Sequence, residues 1–201
     1  MRRRRGPAAA DDDAAVIESS WREPERFAVL FDRHAPHIYR YLARRAGWQV
    51  ADDLVDETFL AAFAKRDRYD LGYADARPWL YGIATKLVGQ QRRDEARQYR
   101  IRQAATAEPQ VPGHADRVAA DVTAQAMRPL LHAALAALPA GDRDVLLLIA
   151  WEQLTYQEVS RALGIPVGTV RSRLNRARTK VRQMLAGTDA GTTYEELTTD
   201  E

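Results

Sequence analysis

Residues 155–182 read TYQEVSRALGIPVGTVRSRLNRARTKVR, and this stretch decides the reading of the chain. Thr155 with Glu158 makes a capping box, which satisfies free N–H groups at a helix start. Val159, Ala162 and Leu163 supply a short apolar face. Gly164 stands where a helix C-cap favours a residue tolerant of positive φ. Ile165 and Pro166 make the corner, because Pro166 cannot extend the helix before it. A second helix is predicted from about Val167, with Val167, Val170, Leu174, Ala177, Val181 and Met184 spaced three and four apart on its inner face. The rest is basic: Arg171, Arg173, Arg176, Arg178, Lys180 and Arg182, with no acid between Val167 and Arg182. A capped helix, a tight glycine turn and a cationic second helix describe a helix-turn-helix. Its second helix lies in the DNA major groove and presents its N-terminal residues to base edges. A solvated helix would mix charge signs, so the absence of acids argues for DNA.

With Val170 and Leu174 turned inward, Gly168, Ser172, Asn175 and Thr179 point outward. Arg171 and Arg178 flank one side, Arg173 and Arg176 the other. Arginine forks fit guanine edges and asparagine fits adenine. Serine and the other cations suit phosphates, which position a helix without specifying sequence. Thr169, Arg171, Ser172, Arg173, Asn175, Arg176 and Arg178 are the residues expected at duplex DNA.

The chain has 201 residues, room for one large or two small domains, and 46% of it is hydrophobic, enough for packed cores. The formal net charge of +2 conceals a division, since the basic helix is followed by Asp189, Glu195, Glu196, Asp200 and Glu201 with no base among them. Cysteine is absent, which removes disulfides, thiolate metal sites and cysteine nucleophiles and fits a reducing cytoplasm. No apolar run approaches the ~20 residues a membrane span needs. Arg2–Arg5 resembles the start of a signal peptide, but Asp11, Asp12 and Asp13 interrupt the apolar region that should come next.

The expected architecture is all-α: two small helical domains joined by a flexible linker, the C-terminal one a helix-turn-helix. Residues 1–22 read as a disordered tail. A first domain occupies 23–100. Phe27, Leu30, Phe31, Ile38, Tyr41 and Leu42 define its first helix, which Pro36 should kink or split and Gly47 should end. The next helix, from about Ala51 to Lys65, buries Leu54, Val55, Phe59, Ala62 and Phe63. Asp52, Asp53, Asp56 and Glu57 exceed what one helix end needs. They read either as dipole complement on a solvated face or as a docking site for a basic protein. Asp67–Arg77 is a loop. Its chemistry alone reads as a polar connector, although its tyrosines, arginines and glycine are also what stacks on an unstacked base. A third helix starts near Pro78, with Trp79, Leu80, Ile83, Ala84, Leu87 and Val88 inward. Trp79 taken alone reads as core. Residues 101–114 read as the linker, 115–186 as the second domain and 187–201 as an acidic disordered tail. Within that second domain Asp142 is suited to cap the helix Arg143–Trp151.

Catalysis finds little support. No Gly-rich phosphate loop occurs. His34, His37, His114 and His132 form no metal signature, and His34 and His37 read as surface residues. The serines lack a nucleophile-elbow context. The sequence implies neither cofactor nor metal.

Asp52-Asp53-Leu54-Val55-Asp56-Glu57-Thr58-Phe59-Leu60-Ala61-Ala62-Phe63 resembles the polymerase-docking helix of bacterial extracytoplasmic-function sigma factors. Trp79-Leu80-Tyr81-Gly82-Ile83-Ala84-Thr85 resembles the next helix of their promoter-melting domain. The runs Ala136–Pro139, Asp144–Leu148, Leu154–Val159 and Leu163–Leu174 are similar to their C-terminal domain. These matches span about 26–100 and 129–186, in the family's order. The resemblance implies docking of Asp52, Asp53, Asp56 and Glu57 on the coiled coil of the largest polymerase subunit. It implies capture of a −10 base by the Tyr69–Asp75 loop, with Tyr69, Asp70, Tyr73, Arg77, Trp79 and Lys86 at the −10 strand. The second domain would read the −35 duplex and sit on the polymerase flap. An anti-sigma factor is the further partner that the resemblance allows. One departure concerns Lys86, where the family often has asparagine. Lysine holds a phosphate but lacks the paired donor and acceptor of an amide. The main rival to a sigma factor is a stand-alone helix-turn-helix regulator, with a helical interaction protein behind it.

Overall fold

The computed structural model describes residues 12–105 and 130–195, among which there is no β-strand. The helices are α1 (Asp13–Ser19), α2 (Ala28–Ala46), α3 (Ala51–Ala64), α4 (Arg77–Ala105), α5 (residues 130–136), α6 (Ala140–Ala150), α7 (Tyr156–Leu163) and α8 (Val167–Glu195). Short 3-10 turns at Pro24–Phe27, Trp48–Val50 and Arg66–Arg68 join the first of these. The chain divides into two compact units. One holds the residues up to Glu95 together with Gln157–Gly164, and the other holds Ala96–Tyr156 and the residues from Ile165 on.

The first unit is built on α2, α3 and the start of α4. Leu30, Ile38, Tyr41 and Leu42 of α2, Leu54, Val55, Phe59 and Ala62 of α3, and Leu80, Tyr81, Ala84 and Val88 of α4 are buried at helical spacing. Edge-on aromatic pairs lock α2 to its neighbours: Phe31 to Phe59 at 4.8 Å and Tyr41 to Tyr81 at 5.2 Å between centroids. Such pairs contribute about 0.5–1.5 kcal/mol beyond the area they bury. The helix α2 runs unbroken through Pro36 and ends at Gly47, whose φ of 91° suits a residue without Cβ. Tertiary packing on both sides of Pro36 outweighs the single backbone bond that proline cannot donate.

Two expectations about the chain ends are corrected. The predicted disordered tail contains α1, which begins inside it and buries Val16 and Ile17 at 1% and 0% exposure. Asp12 caps this helix by accepting from Ala15 N at 2.8 Å. A seven-residue helix is marginal alone. Burial of an isoleucine contributes about 1.5–3 kcal/mol, so packing rather than periodicity holds α1 in place, and two apolar residues make no pattern to find. At the other end α8 continues through the predicted acidic tail as far as Glu195. Residues 196–201 lie outside the described residues. So does most of the expected linker, since α4 extends to Ala105 and the described residues resume at 130; the kink expected at Pro129 falls in the same interval.

The second unit packs α6 against α8. Val145, Leu147 and Leu148 of α6 meet the buried Val170, Leu174 and Ala177 of α8, with Ala134, Leu138 and Leu154 completing the core. Leu146 and Ile149 are only half-buried, so α6 presents a face and is not enclosed all round. Asp142 is not the cap of α6, whose N-cap is Pro139.

Candidate nucleic-acid and protein interfaces

The turn between α7 and α8 depends on Gly164, whose φ of 65° lies in the left-handed region. Beyond it, Val170, Leu174 and Ala177 are 0%, 3% and 0% exposed. That burial fixes the azimuth of α8. Arg171, Ser172, Asn175 and Arg178 are exposed, and the spacing of 171, 175 and 178 puts them on one ridge. Thr169 is half-buried, and its carbonyl accepts from Ser172 Oγ at 3.1 Å. The arginines on the other flank are engaged. Arg176 meets Asp142 through two bonds, Nε–Oδ2 at 3.1 Å and Nη2–Oδ1 at 3.0 Å. Arg173 packs its guanidinium against Gly141, where an added Cβ would fall 2.6 Å from Nη1. Of the seven expected duplex contacts, Arg171, Ser172, Asn175 and Arg178 form an exposed ridge, Arg173 and Arg176 clasp the start of α6, and Thr169 is half-buried.

On α3, Asp52, Asp53, Asp56 and Glu57 are all exposed. Asp52 and Asp56 rim a groove floored by Phe31, Ala35, Pro36 and Val55. One turn further on, Leu60 is 68% exposed. Acids beside apolar surface complement a basic amphipathic helix.

The 66–77 loop is preformed. Gly72 N donates to Asp70 Oδ1 at 2.9 Å and Tyr73 N to Asp70 O at 3.1 Å, a side-chain-supported turn. Tyr69, expected at DNA, is only 8% exposed. Its hydroxyl donates to Tyr73 O at 2.6 Å and its ring rests on Trp79 at 5.0 Å between centroids. Burial, with the Asp13 and Asp75 carboxylates nearby, pushes its hydroxyl well above the ordinary tyrosine range, so it stays a neutral donor. A buried ring offers no face to a base, and Tyr69 supports the loop from beneath. Tyr73, at 41%, is the exposed ring. The Arg161 guanidinium lies 3.6 Å from its centroid, and nearby Gly82 lets the Ala162 carbonyl approach α4, since a Cβ there would lie 2.2 Å from that oxygen.

The remaining expected −10 residues do not share one surface. Trp79 and Lys86 are seven residues apart, two turns, and so lie on one face of α4. Arg77 lies nearly opposite Lys86 and binds Asp75, Nη2–Oδ2 at 2.7 Å. Burial alone would raise the Asp75 pKa, but the Arg77 side-chain and backbone hydrogen bonds hold it below the usual carboxylate range. Thr85, beside Lys86, is buried and bonds Tyr41 Oη at 2.7 Å.

Sequence reasoning missed one cluster. Asp13, with a side chain 8% exposed, accepts from His34 Nε2 at 2.8 Å, Arg33 Nη1 at 3.1 Å and Ala76 N at 2.9 Å. His34 is thus buried, not a surface residue. Its buried Nδ1 has no hydrogen-bond partner. No sequence signal marks this cluster, because it joins residues from three elements. Among the described residues no group of His, Asp and Glu side chains is arranged to hold a metal ion, and no helix is long and apolar enough to cross a membrane.

Comparison with known proteins accounts for both halves of this geometry. Residues 30–98 match the Sigma-70 region 2 family model and residues 128–181 match Sigma-70, region 4. The chain is 35% identical to the ECF RNA polymerase sigma factor SigE of Mycolicibacterium smegmatis, over 89% of this chain and 65% of that protein. It is 32% identical to the RNA polymerase sigma factor CarQ of Myxococcus xanthus, over 80% of this chain and 90% of CarQ. SigC of Mycobacterium tuberculosis is likewise 32% identical, over 85% of this chain and 91% of SigC. In fold the chain is similar to the sigma factor RpoE of Bartonella quintana, solved with the anti-sigma factor NepR, at 24% identity and TM-score 0.59, over 80% of this chain and 96% of that one. CnrH, solved with the cytosolic domain of CnrY, gives 22% identity and TM-score 0.60, over 87% and 97%. With both sigma regions present in order and full-length relatives above thirty per cent identity, the chain belongs to the extracytoplasmic-function sigma factors of bacterial RNA polymerase.

Proposed function

We propose that this chain docks on core RNA polymerase through the acidic face of α3, with Asp52, Asp53, Asp56 and Glu57 meeting the coiled coil of the largest subunit. The ridge Arg171, Ser172, Asn175 and Arg178 reads the −35 duplex, and the loop headed by Asp70 and Tyr73 takes an unstacked −10 base. Trp79 and Lys86 follow the strand along one face of α4. The observation that carries this reading is the one-sided burial of α8, which leaves a cationic ridge free while its opposite side is core.

The chain performs no bond chemistry in this scheme. Trapping a flipped base offsets a few kcal/mol of unstacking and unpairing, and so biases the promoter towards the open form. Arg161 covers Tyr73 in the free chain, so base capture requires that guanidinium to leave. Polymerase then joins two weak DNA contacts on one scaffold, which raises the effective concentration of each. The site of action is the cytoplasm, where polymerase and promoters are. An anti-sigma factor is the regulator we extend to this chain from its family, testable by co-purification from the native host. The matched region 2 leaves a stand-alone regulator without support.

In vitro transcription with core polymerase and a promoter library tests the whole scheme. Transcripts starting downstream of a shared pair of elements are expected. Failure to bind core, or binding without initiation, overturns it.

A further inference from the structure

The N-terminal segment reaches both ends of the 66–77 loop. At the near end the Trp21 indole N–H donates to Arg66 O at 3.1 Å, and Arg66 Nε returns a bond to Ser20 O at 3.4 Å. At the far end Asp13 N donates to Ala74 O at 3.0 Å, while its Oδ2 accepts from Ala76 N at 2.9 Å. Asp13 is itself seated on α2 by Arg33 and His34. Its carboxylate accepts only, so the His34 Nε2 must carry the proton and donate. Between these anchors the turn at Asp70–Tyr73 stands out, with Tyr73 41% exposed.

We propose that α1 is a brace for the single-strand-reading loop, with Asp13 and Trp21 as positioning residues that hold its two ends at Ala74, Ala76 and Arg66. This rests on the reading of that loop as the −10 base pocket. Fixing a backbone residue costs conformational entropy. A loop already fixed in the free protein does not lose that freedom again when it closes on a base. Neither Asp13 nor Trp21 need touch DNA. Their effect passes through the backbone of the loop.

The test uses the full chain assembled with core polymerase. The probe is a single-stranded oligonucleotide carrying the −10 element of a promoter that the holoenzyme transcribes, against a duplex carrying only its −35 element. Asp13→Asn is expected to weaken the single-stranded complex about tenfold, as loss of one or two buried hydrogen bonds implies, and Trp21→Phe about threefold, since its bond to Arg66 O is exposed. Affinity for core and for the duplex should stay within about twofold, as it does for independent sites. In a Tyr73→Ala background both losses should vanish, because the loop no longer transmits them. Unchanged single-strand affinity in both variants, or losses that add to that of Tyr73→Ala, would overturn the brace. So would loss of core binding by Trp21→Phe, which would make the segment a general folding element. If the wild-type holoenzyme ignores the single strand while binding the duplex, the loop's own assignment fails first, and that outcome is separate from failure of the brace.

Discussion

Arg176 and Asp142 form a two-point ion pair, with Nε–Oδ2 at 3.1 Å and Nη2–Oδ1 at 3.0 Å, that ties α8 to the first turn of α6. The pair engages a residue that charge alone places at DNA. A guanidinium already bidentate to a carboxylate has its fork occupied. It orients α8 on its neighbour, and the neighbouring exposed ridge is the part of α8 that we propose meets bases.

Substitutions on the two flanks should therefore differ. Arg171→Ala and Asn175→Ala should each weaken binding to a −35 duplex by about 1–3 kcal/mol in a sequence-dependent way, as loss of a bidentate base contact does. Arg176→Ala should instead act like Asp142→Asn, lowering the thermal midpoint a little and weakening all duplexes alike. Quantitative DNA binding with matched and mismatched −35 elements separates the two patterns. Equal sequence-dependent losses from Arg176→Ala and Arg171→Ala would restore Arg176 to the reading face.

Charge reversal on α3 should isolate docking. Asp56 and Glu57 are exposed, so Asp56→Arg with Glu57→Arg should leave helical content and melting unchanged. Core polymerase binding should fall at least about a hundredfold at moderate salt, since juxtaposed like charges cost several kcal/mol. A co-elution assay with core polymerase settles the outcome. Retention of binding would move the docking site off α3.

Tyr69 and Tyr73 should separate support from capture. Tyr69→Phe removes the bond to Tyr73 O and should lower stability by about 1 kcal/mol, with a modest loss of opening. Tyr73→Ala should leave stability near wild type and cut open-complex formation about tenfold, in line with the 1–3 kcal/mol of one base–aromatic stack. Permanganate footprinting beside thermal melts reads both quantities.

Arg161→Ala should uncover Tyr73. A cation–π contact contributes about 0.5–2 kcal/mol, so the free protein should bind a single-stranded −10 oligonucleotide severalfold more tightly. The holoenzyme should show no gain if polymerase binding has already displaced that contact. Fluorescence anisotropy with and without core polymerase makes the comparison.

Acid should act through Asp13. Burial would raise its pKa, but bonds from His34 and Ala76, the nearby His34 ring and Arg33 outweigh it and hold the carboxyl at about 2, against an ordinary 3.8. A depressed folded-state pKa means stability that is full above the unfolded value and is lost as pH falls from about 4 towards 2. The contribution is about 2 kcal/mol. Denaturant unfolding across that range should steepen with acid in the wild type and flatten in Asp13→Asn. Identical slopes would remove Asp13 from the acid response.

Local and periodic features are legible in the residues themselves. The capped turn at Gly164, the apolar stripes of α2, α3 and α8, and the acidic and basic surfaces all arise from spacing that chemistry imposes on a helix. Their combination is enough for the all-α class and for the two sigma regions. What spacing cannot express is which long side chain meets which distant partner. Only the packed structure set Arg176 on Asp142, turned Tyr69 beneath the loop rather than above it, and drew α1 out of an unpatterned tail to bind Ala74 and Ala76 through Asp13. Apart from the short reach of Tyr69 to Tyr73, those contacts join residues tens of positions apart. Their hydrogen bonds exist only once the helices have packed, so no local pattern records them.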